Sequence, residues 1–337
     1  MENNHLKSFE VSGFKKFTDL KIENIGQFNL IVGDNNVGKT SLLEALCING
    51  NLDNFLNSLA NINYHVKKNQ DLKQFFLYQY FSFEFNGFPQ KMIFKVFSNE
   101  DFKIQLTKIS SHQIKGIRTR IDFIDHDFTG DLIENSISNI NRQSFDLTIP
   151  YISFGPLYQH ELTEEYSKYI QLFVDKKENL ISSLSNILKT IKNIEVNASY
   201  SSNPILLVAE KGKNSLQPLV TYGDGTVKLF RILLSLFATN YQYNRLMIDE
   251  LDSGIYYSHL KDFIKSLLIV SKNEKKQIFA TTHSKECIES FKIALEEAGL
   301  QNEGRIIRLA ETKTGIKAYT NTFEQFENSL LAESEIR

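Results

Sequence analysis

Residues 28–46 read FNLIVGDNNVGKTSLLEAL, and this stretch decides the fold. Residues 28–32 form an apolar run broken only by Asn29, which predicts a buried strand that stops at Gly33. Residues 40–46 carry apolar side chains at helical spacing and predict a helix. Between them, GDNNVGKT fits the pattern GxxxxGK followed by Ser or Thr, in the strand, loop and helix order that gives the pattern its meaning. The sequence therefore predicts a phosphate-binding loop.

The residue types of this loop suit the chemistry of a nucleoside triphosphate. Glycines let backbone N–H groups turn inward around phosphate oxygens, and the following helix adds positive potential at its N-terminus. We expect Lys39 to reach the β and γ phosphates of ATP and the Thr40 hydroxyl to bind Mg²⁺. The alternative is a plain glycine turn before a helix, which this context disfavours. The expected nucleotide contacts are Gly33, Asp34, Asn35, Asn36, Val37, Gly38, Lys39, Thr40 and Ser41.

The composition is that of an ordinary globular protein. The chain has 337 residues, 42% hydrophobic and 23% charged, enough for one large α/β domain or two smaller ones. It has no long apolar run and no basic leader, so we expect a cytoplasmic protein that neither spans a membrane nor is secreted. Cys47 and Cys287 form no CxxC pair, which argues against a disulfide framework or a cysteine zinc site. A net charge of −2 argues against a uniformly basic nucleic-acid binder but leaves DNA binding by a local patch open.

Hydrophobic patterning predicts mixed α/β organisation. Residues 6–11 and 20–22 predict an opening hairpin turning at Ser12 and Gly13, and residues 81–85 and 92–97 predict a second hairpin turning at Asn86 and Gly87. Helical periodicity over residues 162–194 predicts a helical insertion. Further along the chain we expect strands at 205–208, 246–248 and 277–280, and helices at 227–238 and 257–270.

An acidic pair and a histidine follow two of these strands. Asp249 comes directly after an apolar strand and could hold Mg²⁺, while Glu250 could polarise the attacking water. His283 ends the next strand and could contact the γ phosphate or that water. Acidic pairs at strand ends are more often simply solvated, and lone histidines are more often structural. The phosphate loop upstream favours the catalytic interpretation of both.

With these residues in place, the sequence resembles the ATPase heads of the ABC type, within the RecF/SMC/OLD group. The matching segments span nearly the whole chain: FKKF at 14–17, GDNNVGKTSLLEAL at 33–46, YGDGTVKLFRILLSL at 222–236, LMIDELDSG at 246–254 and IFATTHSKECI at 278–288. The resemblance implies an α/β P-loop ABC ATPase head with an antiparallel β subdomain and a helical insertion. We expect residues 1–337 to form one head, with a first lobe at 1–155, the insertion at 157–200, a second lobe at 203–323 and a fraying polar tail at 324–337.

The same resemblance implies a site shared between two subunits. Residues 222–226 stand in for the ABC signature, which caps the γ phosphate held by a partner, so two heads would sandwich two ATP molecules. The resemblance also makes Asp249 the magnesium-assisting carboxylate, Glu250 the catalytic base and His283 the switch histidine. The implied nucleotide contacts beyond the phosphate loop are Lys16, Tyr222, Gly223, Asp224 and Gly225, and Ser253 and Gly254 would face the other subunit.

The sequence also departs from the family pattern. Tyr222 stands where ABC signatures carry Ser, so the hydroxyl contact to the γ phosphate would come from Tyr222, from Thr226 or from backbone N–H groups. Tyr256 occupies the position of a histidine found in many OLD-like heads, whose role cannot be carried over. Gln159 is the candidate for the glutamine that completes the magnesium shell, and a surface polar residue is the alternative.

Three functional interpretations remain. The leading one is a sensor or regulatory ATPase of a bacterial antiphage defence system, which controls a separate nuclease or toxin protein and forms a homodimer or higher homo-oligomer. The second is a RecF-like DNA repair or replication factor that clamps DNA on ATP-driven dimerisation, with salt-sensitive binding. The third is a nucleotide-dependent scaffold with little turnover. A membrane transporter subunit fits less well, because the signature is altered. Fold and ATP site do not specify the partner.

Overall fold

The computed structural model describes residues 5–47, 81–87, 90–97, 103–110, 151–152, 159–197, 204–238 and 244–331. The strands are β1 (Phe9–Phe14), β2 (Phe17–Ile22), β3 (Phe28–Gly33), β4 (Phe81–Gly87), β5 (Gln90–Phe97), β6 (Lys103–Ser110), β7 (Tyr151–Ile152), β8 (Ile191–Asn197), β9 (Ile205–Glu210), β10 (Leu216–Pro218), β11 (Arg245–Ile248), β12 (Gln277–Thr281), β13 (Gly304–Thr312) and β14 (Gly315–Asn321). The α-helices are α1 (Lys39–Leu46), α2 (Gln159–Tyr166), α3 (Val174–Ile187), α4 (Asp224–Phe237), α5 (Tyr257–Asn273), α6 (Lys285–Ala298) and α7 (Phe323–Leu331). A π-helical segment, Ser167–Gln171, follows α2, and 3₁₀ turns occupy Leu219–Tyr222 and Gln301–Glu303.

A central six-stranded sheet carries the predicted phosphate loop. Its order is β14-β13-β3-β12-β11-β7, and all neighbours pair in parallel except β13 and β14. The middle strands are buried, and the Asn29 amide donates to the carbonyls of Gly26 and Ile278, both at 3.0 Å. Because β3, β12 and β11 are parallel neighbours, their carboxyl ends meet at one edge of the sheet. The expected α/β class and these strand positions are confirmed.

The opening hairpin exists, but its turn lies further along than predicted. β1 continues through Ser12 and Gly13, and Phe14 pairs with Phe17, so the chain reverses at Lys15 and Lys16. Lys15 adopts a φ of 51°, which a tight two-residue turn requires. The expectation of a turn at Ser12 and Gly13 is therefore wrong.

The antiparallel subdomain forms a five-stranded sheet in the order β2-β1-β4-β5-β6. The predicted second hairpin corresponds to β4 and β5, which pair antiparallel. Asn86 and Gly87 do not form its turn: both belong to β4, where Asn86 pairs with Lys91 and Gly87 with Gln90. Pairing with β5 thus extends the strand by two residues beyond the predicted end.

The insertion is helical only in its first part. Helices α2 and α3, with the π-helical segment between them, cover most of residues 159–187, whereas Ile191–Asn197 is a strand in the antiparallel sheet β10-β9-β8. A register shift between Ile191 and Asn193 accounts for the wrong helical prediction there. The irregularity lets Ile191 and Ile194, three residues apart, both be fully buried, so the strand imitates a helical period. Glu165 of α2 forms an ion pair with Arg231 of α4 at 2.6 Å, which joins these two helices.

The last described helix packs on the core. Residues 324–337 are predicted to fray, yet α7 covers Phe323–Leu331, and residues 332–337 lie outside the described part. Phe326 is fully buried and its ring contacts that of Phe323 with centroids 5.1 Å apart. Two apolar residues three apart outweigh the polar composition of this segment, because a helix places both on one face. Within the described ranges, no helix has the length and apolar character needed to cross a bilayer.

Candidate functional site

The phosphate loop adopts a conformation that its glycines make available. Gly33 ends β3 with a φ of 143°, and a Cβ there would lie 2.4 Å from the carbonyl oxygen of Leu309 on the neighbouring strand. Gly38, with a φ of 107°, leads directly into α1. The loop therefore ends at a helix N-terminus whose first N–H groups lack helical partners, which is the geometry that binds phosphate.

Lys39 is held inside this loop. Its ammonium donates to the carbonyls of Gly33 at 2.7 Å and Asp34 at 2.8 Å, and the side chain is buried. Burial lowers the pKa of Lys39, and the charges of Asp34, Asp249 and Glu250 oppose that shift. A buried cation enclosed by carbonyl oxygens and carboxylates suits the phosphate role predicted for it.

Thr40 and Asp249 converge from α1 and the end of β11. The Thr40 hydroxyl lies 3.3 and 3.2 Å from the two carboxylate oxygens of Asp249. Asp249 also accepts hydrogen bonds from Thr281 Oγ1 at 2.6 Å and from the Tyr151 hydroxyl at 3.3 Å. Burial, together with the Asp249 charge, raises the pKa of Tyr151, so this phenol remains a proton donor. The Asp249 carboxylate is thus fixed in direction by three hydroxyl groups.

These oxygen donors fit Mg²⁺. A hydroxyl and a carboxylate side by side are hard ligands, and Mg²⁺ commonly takes only one or two protein ligands and completes its shell with phosphate oxygens and water. In the described part of the chain, no group of three or more His, Cys, Asp or Glu side chains could hold a metal by itself. Thr40 and Asp249 would therefore hold Mg²⁺ together with the nucleotide.

Glu250 and His283 meet at the same edge. Their side chains come within 4.0 Å, His283 Nε2 to Glu250 Oε1, and both are partly exposed. The backbone of Glu250 has a φ of 48°, unusual for a residue other than glycine. Its N–H donates to Thr281 Oγ1 at 2.8 Å, and its carbonyl accepts from the ammonium of Lys228. The two residues predicted to be catalytic are thus brought together.

A cleft of about 250 Å³ joins the loop to the histidine. Its lining residues are Val32, Gly33, Asp34, Asn35, Thr282, His283 and Ile288. His283 lies in the short connection between β12 and α6, after Thr282, and Ser284 caps that helix by accepting from the Cys287 N–H at 3.1 Å. The capped helix fixes the position at which β12 delivers His283 to the cleft.

The hairpin turn between β1 and β2 contacts the phosphate loop from outside. Lys16 donates to the Asn36 carbonyl at 2.6 Å and so lies beside the loop, while its contact with the nucleotide stays a prediction. Lys15 forms an ion pair with Glu44 of α1, whose side chain is buried. The antiparallel subdomain is thereby attached to the loop at one side and to the following helix at the other.

The signature segment presents backbone rather than a tyrosine hydroxyl. Gly223 caps α4, and both Gly223 and Asp224 are exposed at its start. The Tyr222 hydroxyl is instead buried beside Glu210, and its ring packs against the core. In this structure the Tyr222 hydroxyl therefore does not point outward, where it could contact the γ phosphate of a partner's nucleotide. The backbone of Gly223, Asp224 and Gly225 and the Thr226 hydroxyl remain as the candidate contacts.

The loop after Glu250 packs on the start of α4. Gly254 has a φ of 76°, and a Cβ placed on Gly225 would lie 1.9 Å from the Gly254 carbonyl oxygen. Asp252 accepts from the Thr282 hydroxyl at 2.5 Å, and the Ser253 N–H donates to the Glu250 carbonyl at 2.9 Å. The loop predicted to face another subunit is therefore in contact with the signature of its own chain.

Gln159 is the first residue of α2, and its side chain lies outside what the structure describes. Its metal role stays a prediction. Both cysteines are free and buried, as expected for small hydrophobic residues. Burial raises the pKa of each thiol, which keeps Cys47 and Cys287 in the unreactive thiol form.

Sequence reasoning missed three side chains that hold the site together, namely Tyr151, Lys228 and Thr281. A signal existed for Lys228, since it is a charge within the apolar run 227–238. Thr281 stands directly before Thr282 and His283 at a predicted strand end, so its place near the site could also be predicted. Tyr151 had no comparable signal, because its contact with Asp249 depends on the pairing of β7 with β11.

Comparison with solved structures identifies the architecture. The chain is similar to an SMC head bound to the C-terminal winged-helix domain of ScpA, with a TM-score of 0.56, 11% identity, and coverage of 96% of this chain and 99% of that one. It is equally similar to the SMC head with an extended coiled coil from Pyrococcus furiosus, bound to the C-terminal domain of ScpA, with a TM-score of 0.56, 11% identity and coverage of 98% and 99%. The fold is that of an SMC head.

Family models match parts of the chain, and sequence comparisons find relatives at low identity. Residues 148–288 match the family model described as AAA ATPase domain, and residues 4–106 match one described as a protein of unknown function, DUF2813. The chain is 22% identical to an ATP/GTP phosphatase of Helicobacter pylori over 91% of its own length and 92% of the relative. It is 24% identical to the uncharacterized protein MJECL10 of Methanocaldococcus jannaschii over 39% of its length and 47% of the relative. The chain has the architecture of an SMC-like P-loop ATPase.

Proposed function

We propose that the chain binds ATP with Mg²⁺ and hydrolyses it between two copies of itself. The observation that carries the proposal is the convergence of four predicted residues at one sheet edge. Thr40 Oγ1 lies 3.2 Å from Asp249, and His283 lies 4.0 Å from Glu250. The residues of these pairs lie in α1 and in the segments that follow β11 and β12, so the tertiary fold brings them together. The name of the Helicobacter pylori relative supports nucleotide hydrolysis and extends the candidate substrates to GTP.

Each residue has a distinct part in this reaction. The loop N–H groups and Lys39 hold the β and γ phosphates, and Thr40 and Asp249 hold the metal. When bound, Mg²⁺ neutralises charge that develops on the phosphate oxygens. Glu250 accepts the proton of the water that attacks the γ phosphorus, while the bond to the ADP oxygen breaks. His283, beside Glu250, donates a hydrogen bond to the γ phosphate or orients that water.

The exposed start of α4 supports the homodimer in this proposal. Gly223 and Asp224 present a helix N-terminus to solvent, and helix N-termini bind anions. Beside it, the turn at Gly254 packs against Gly225, so both segments that the resemblance assigns to a subunit interface are adjacent. In the proposed dimer this surface caps the γ phosphate on the partner's loop.

Nucleotide binding and turnover test the site. Lys39→Ala removes the main counter-ion of the phosphates, so we expect loss of ATP binding in equilibrium titrations. Glu250→Gln keeps the metal ligands but removes the base, so we expect ATP binding with turnover lowered by about 10² or more. Lys313→Ala, at an exposed residue, serves as the control and should match the wild type. Wild-type ATP affinity in Lys39→Ala would exclude this site, and full activity in Glu250→Gln would place the base elsewhere.

Light scattering tests the dimer. Glu250→Gln should accumulate closed dimers with ATP and Mg²⁺, because hydrolysis no longer opens them, whereas Lys39→Ala should stay monomeric under the same conditions. A Glu250→Gln chain that binds ATP as a monomer at all protein concentrations would contradict a shared site. Slow wild-type turnover that Glu250→Gln leaves unchanged would instead favour a nucleotide-dependent scaffold.

The biological role proposed here is regulation of a separate effector. By its resemblance to the OLD group, the ATPase would act as the sensor subunit of an antiphage defence system and control a nuclease or toxin on another polypeptide. The test is co-purification and effector activity with the product of an adjacent gene, in wild-type and Lys39→Ala backgrounds. ATP-dependent, salt-sensitive DNA binding without an effector would instead favour the RecF-like DNA clamp.

A further inference from the structure

Lys228 is a buried lysine in the second turn of the signature helix. Only 6% of it is exposed, and its neighbours Val227 and Leu229 are buried apolar residues. Burying an ammonium group is costly unless hydrogen bonds and opposite charges compensate. Burial lowers the pKa of Lys228 to about 8, and the charges of Asp252, Glu250 and Asp249 oppose the shift. A charge kept in this position requires a reason other than packing.

The bonds of Lys228 go to main-chain atoms of the acidic pair. Its ammonium donates to the Asp249 carbonyl at 3.2 Å and to the Glu250 carbonyl. The lysine thus leaves the Glu250 carboxylate free to face His283. Its contact acts on the backbone that carries the base rather than on the base itself.

The backbone of Glu250 needs such support. A positive φ of 48° is unfavourable for a residue with a side chain, because its Cβ crowds the neighbouring carbonyl oxygen. Strained residues persist only when their surroundings hold them. Here Thr281 Oγ1 accepts the Glu250 N–H, and Lys228 Nζ donates to the Glu250 carbonyl. Both peptide groups of the residue are fixed, and with them the direction of its Cα–Cβ bond.

The same helix also forms the proposed contact with the partner. Lys228 lies four residues, about one helical turn, after Asp224 at the exposed start of α4. Gly225, between them, touches Gly254 of the loop that follows Glu250. Displacing the start of α4 therefore displaces the donor that holds the Glu250 carbonyl, because a single helix turn is stiff.

We infer that Lys228 is a positioning residue that holds the main chain of Glu250 in its left-handed conformation and couples it to the signature end of α4. The inference rests on the proposed hydrolytic function and adds a residue to it. Closure of the partner on Gly223 and Asp224 would then act through Lys228 on the base in the same chain. Nucleotide affinity would change little, because Lys228 contacts neither the phosphate loop nor Thr40.

Turnover and binding measured separately test this role. Lys228→Met removes the donor while keeping a long side chain, and we expect kcat to fall at least roughly tenfold, with Kd for a non-hydrolysable ATP analogue within about threefold of wild type. Lys276→Met is the matched control. Lys276 is also 6% exposed, and it directly precedes β12, at the end of the strand that is remote from Thr281 and the candidate site. It should leave kcat within about twofold. Lys228→Gln, which keeps a shorter N–H donor, should fall between Lys228→Met and wild type and covers the case that the Met variant does not fold.

A double-mutant cycle separates positioning from general stability. If Lys228 acts through Glu250, adding Lys228→Met to Glu250→Gln should lower the residual turnover by less than about twofold, because the group it positions is already absent. Losses of kcat that multiply in the double mutant would overturn the inference. An unchanged kcat in Lys228→Met would also overturn it, as would a Kd for the analogue that rises by the same factor by which kcat falls. A wild-type chain without nucleotide turnover would instead overturn the proposed function and this inference together.

Discussion

The contact between Gly225 and Gly254 gives the sharpest prediction about coupling within the site. Substituting Gly225 by Ala adds a methyl group whose carbon would lie 1.9 Å from the Gly254 carbonyl oxygen, whereas Cβ contacts below 3.0 Å essentially do not occur. The two segments must therefore separate by about 1.1 Å, the difference between these distances. A Cβ is fixed by the backbone of its own residue and the Gly254 oxygen is a backbone atom, so rotation of a side chain cannot relieve the clash.

The expected consequence is a large loss of turnover with a modest loss of stability. Overpacking of this kind costs typically about 1–3 kcal/mol. A displacement of about 1 Å at a residue near reacting groups can lower the rate about 10²-fold. Gly254 follows Glu250 by four residues and Gly225 precedes Lys228 by three. The separation therefore disturbs both the loop that carries the proposed base, Glu250, and the helical turn that carries Lys228. We expect Gly225→Ala to fold, to bind ATP through its intact loop, and to lose about 10² in kcat.

Gly212→Ala is the matched control for this measurement. Gly212 has a φ of 77°, and no described atom lies within 4 Å of the place that a Cβ would occupy, so Ala there adds backbone strain without a clash. It should destabilise the fold by a similar amount, about 1–2 kcal/mol, and leave kcat near that of wild type. Steady-state ATPase assays with urea unfolding curves for both variants provide the comparison. Wild-type kcat in Gly225→Ala, or equal losses in the two variants, would refute the reasoning.

Three further predictions test other parts of the structure. Thr281→Val removes a hydroxyl bonded to Asp249 and should lower ATPase turnover by roughly 10–100-fold, while Thr281→Ser should restore most of it. Burial lowers the pKa of His5 below 6.5, so the unfolded chain takes up its proton first as pH falls. Urea unfolding from about pH 7.5 to about pH 5.5 should therefore show a larger stability loss in wild type than in His5→Gln, and equal losses would contradict this. Phe326→Ala should lower the free energy of unfolding by about 3–5 kcal/mol, whereas Glu324→Ala, at an exposed residue, should lower it by less than about 0.5 kcal/mol. Similar unfolding midpoints for the two variants would show that α7 does not contribute to the core.

Much of the fold could be predicted from the sequence, because its apolar runs and helical spacings coincide with the residues that are buried in the fold. The strand before Gly33 and the helix after it follow from an apolar run and helical spacing, and both are buried as those patterns require. The errors arose where one apolar spacing is compatible with both a helix and an irregular strand. At Ile191 and Ile194 an irregular strand placed residues three apart on one buried side, and a three-residue spacing is also helical. Periodicity alone cannot separate these cases, because the pairing partner β9 decides between them.

Turn positions were less predictable for a related reason. Gly13 and Gly87 carry strong turn propensity, yet both belong to strands: the pairing of β1 continues beyond Gly13 to Phe14, and Gly87 is the last residue of β4 and pairs with Gln90. The actual reversal after β1 uses Lys15, a residue without turn preference, in a left-handed conformation. Its ion pair with the buried Glu44 of α1 stabilises this arrangement from a helix 29 residues away in sequence. A tertiary contact of that kind overrides local preference and leaves no local signal.

The candidate site shows the same division between side-chain identity and backbone geometry. Motif spacing established which groups can meet, because parallel strands β3, β12 and β11 deliver the phosphate loop, His283 and the acidic pair to one edge. It could not establish where the Glu250 carboxylate points, since that depends on a left-handed φ. The bonds that hold this φ come from Thr281, 31 residues later, and Lys228, 22 residues earlier. An acidic pair after a strand is therefore insufficient to define the geometry of the proposed base, because the Thr281 hydroxyl and the buried Lys228 ammonium hold the backbone of Glu250.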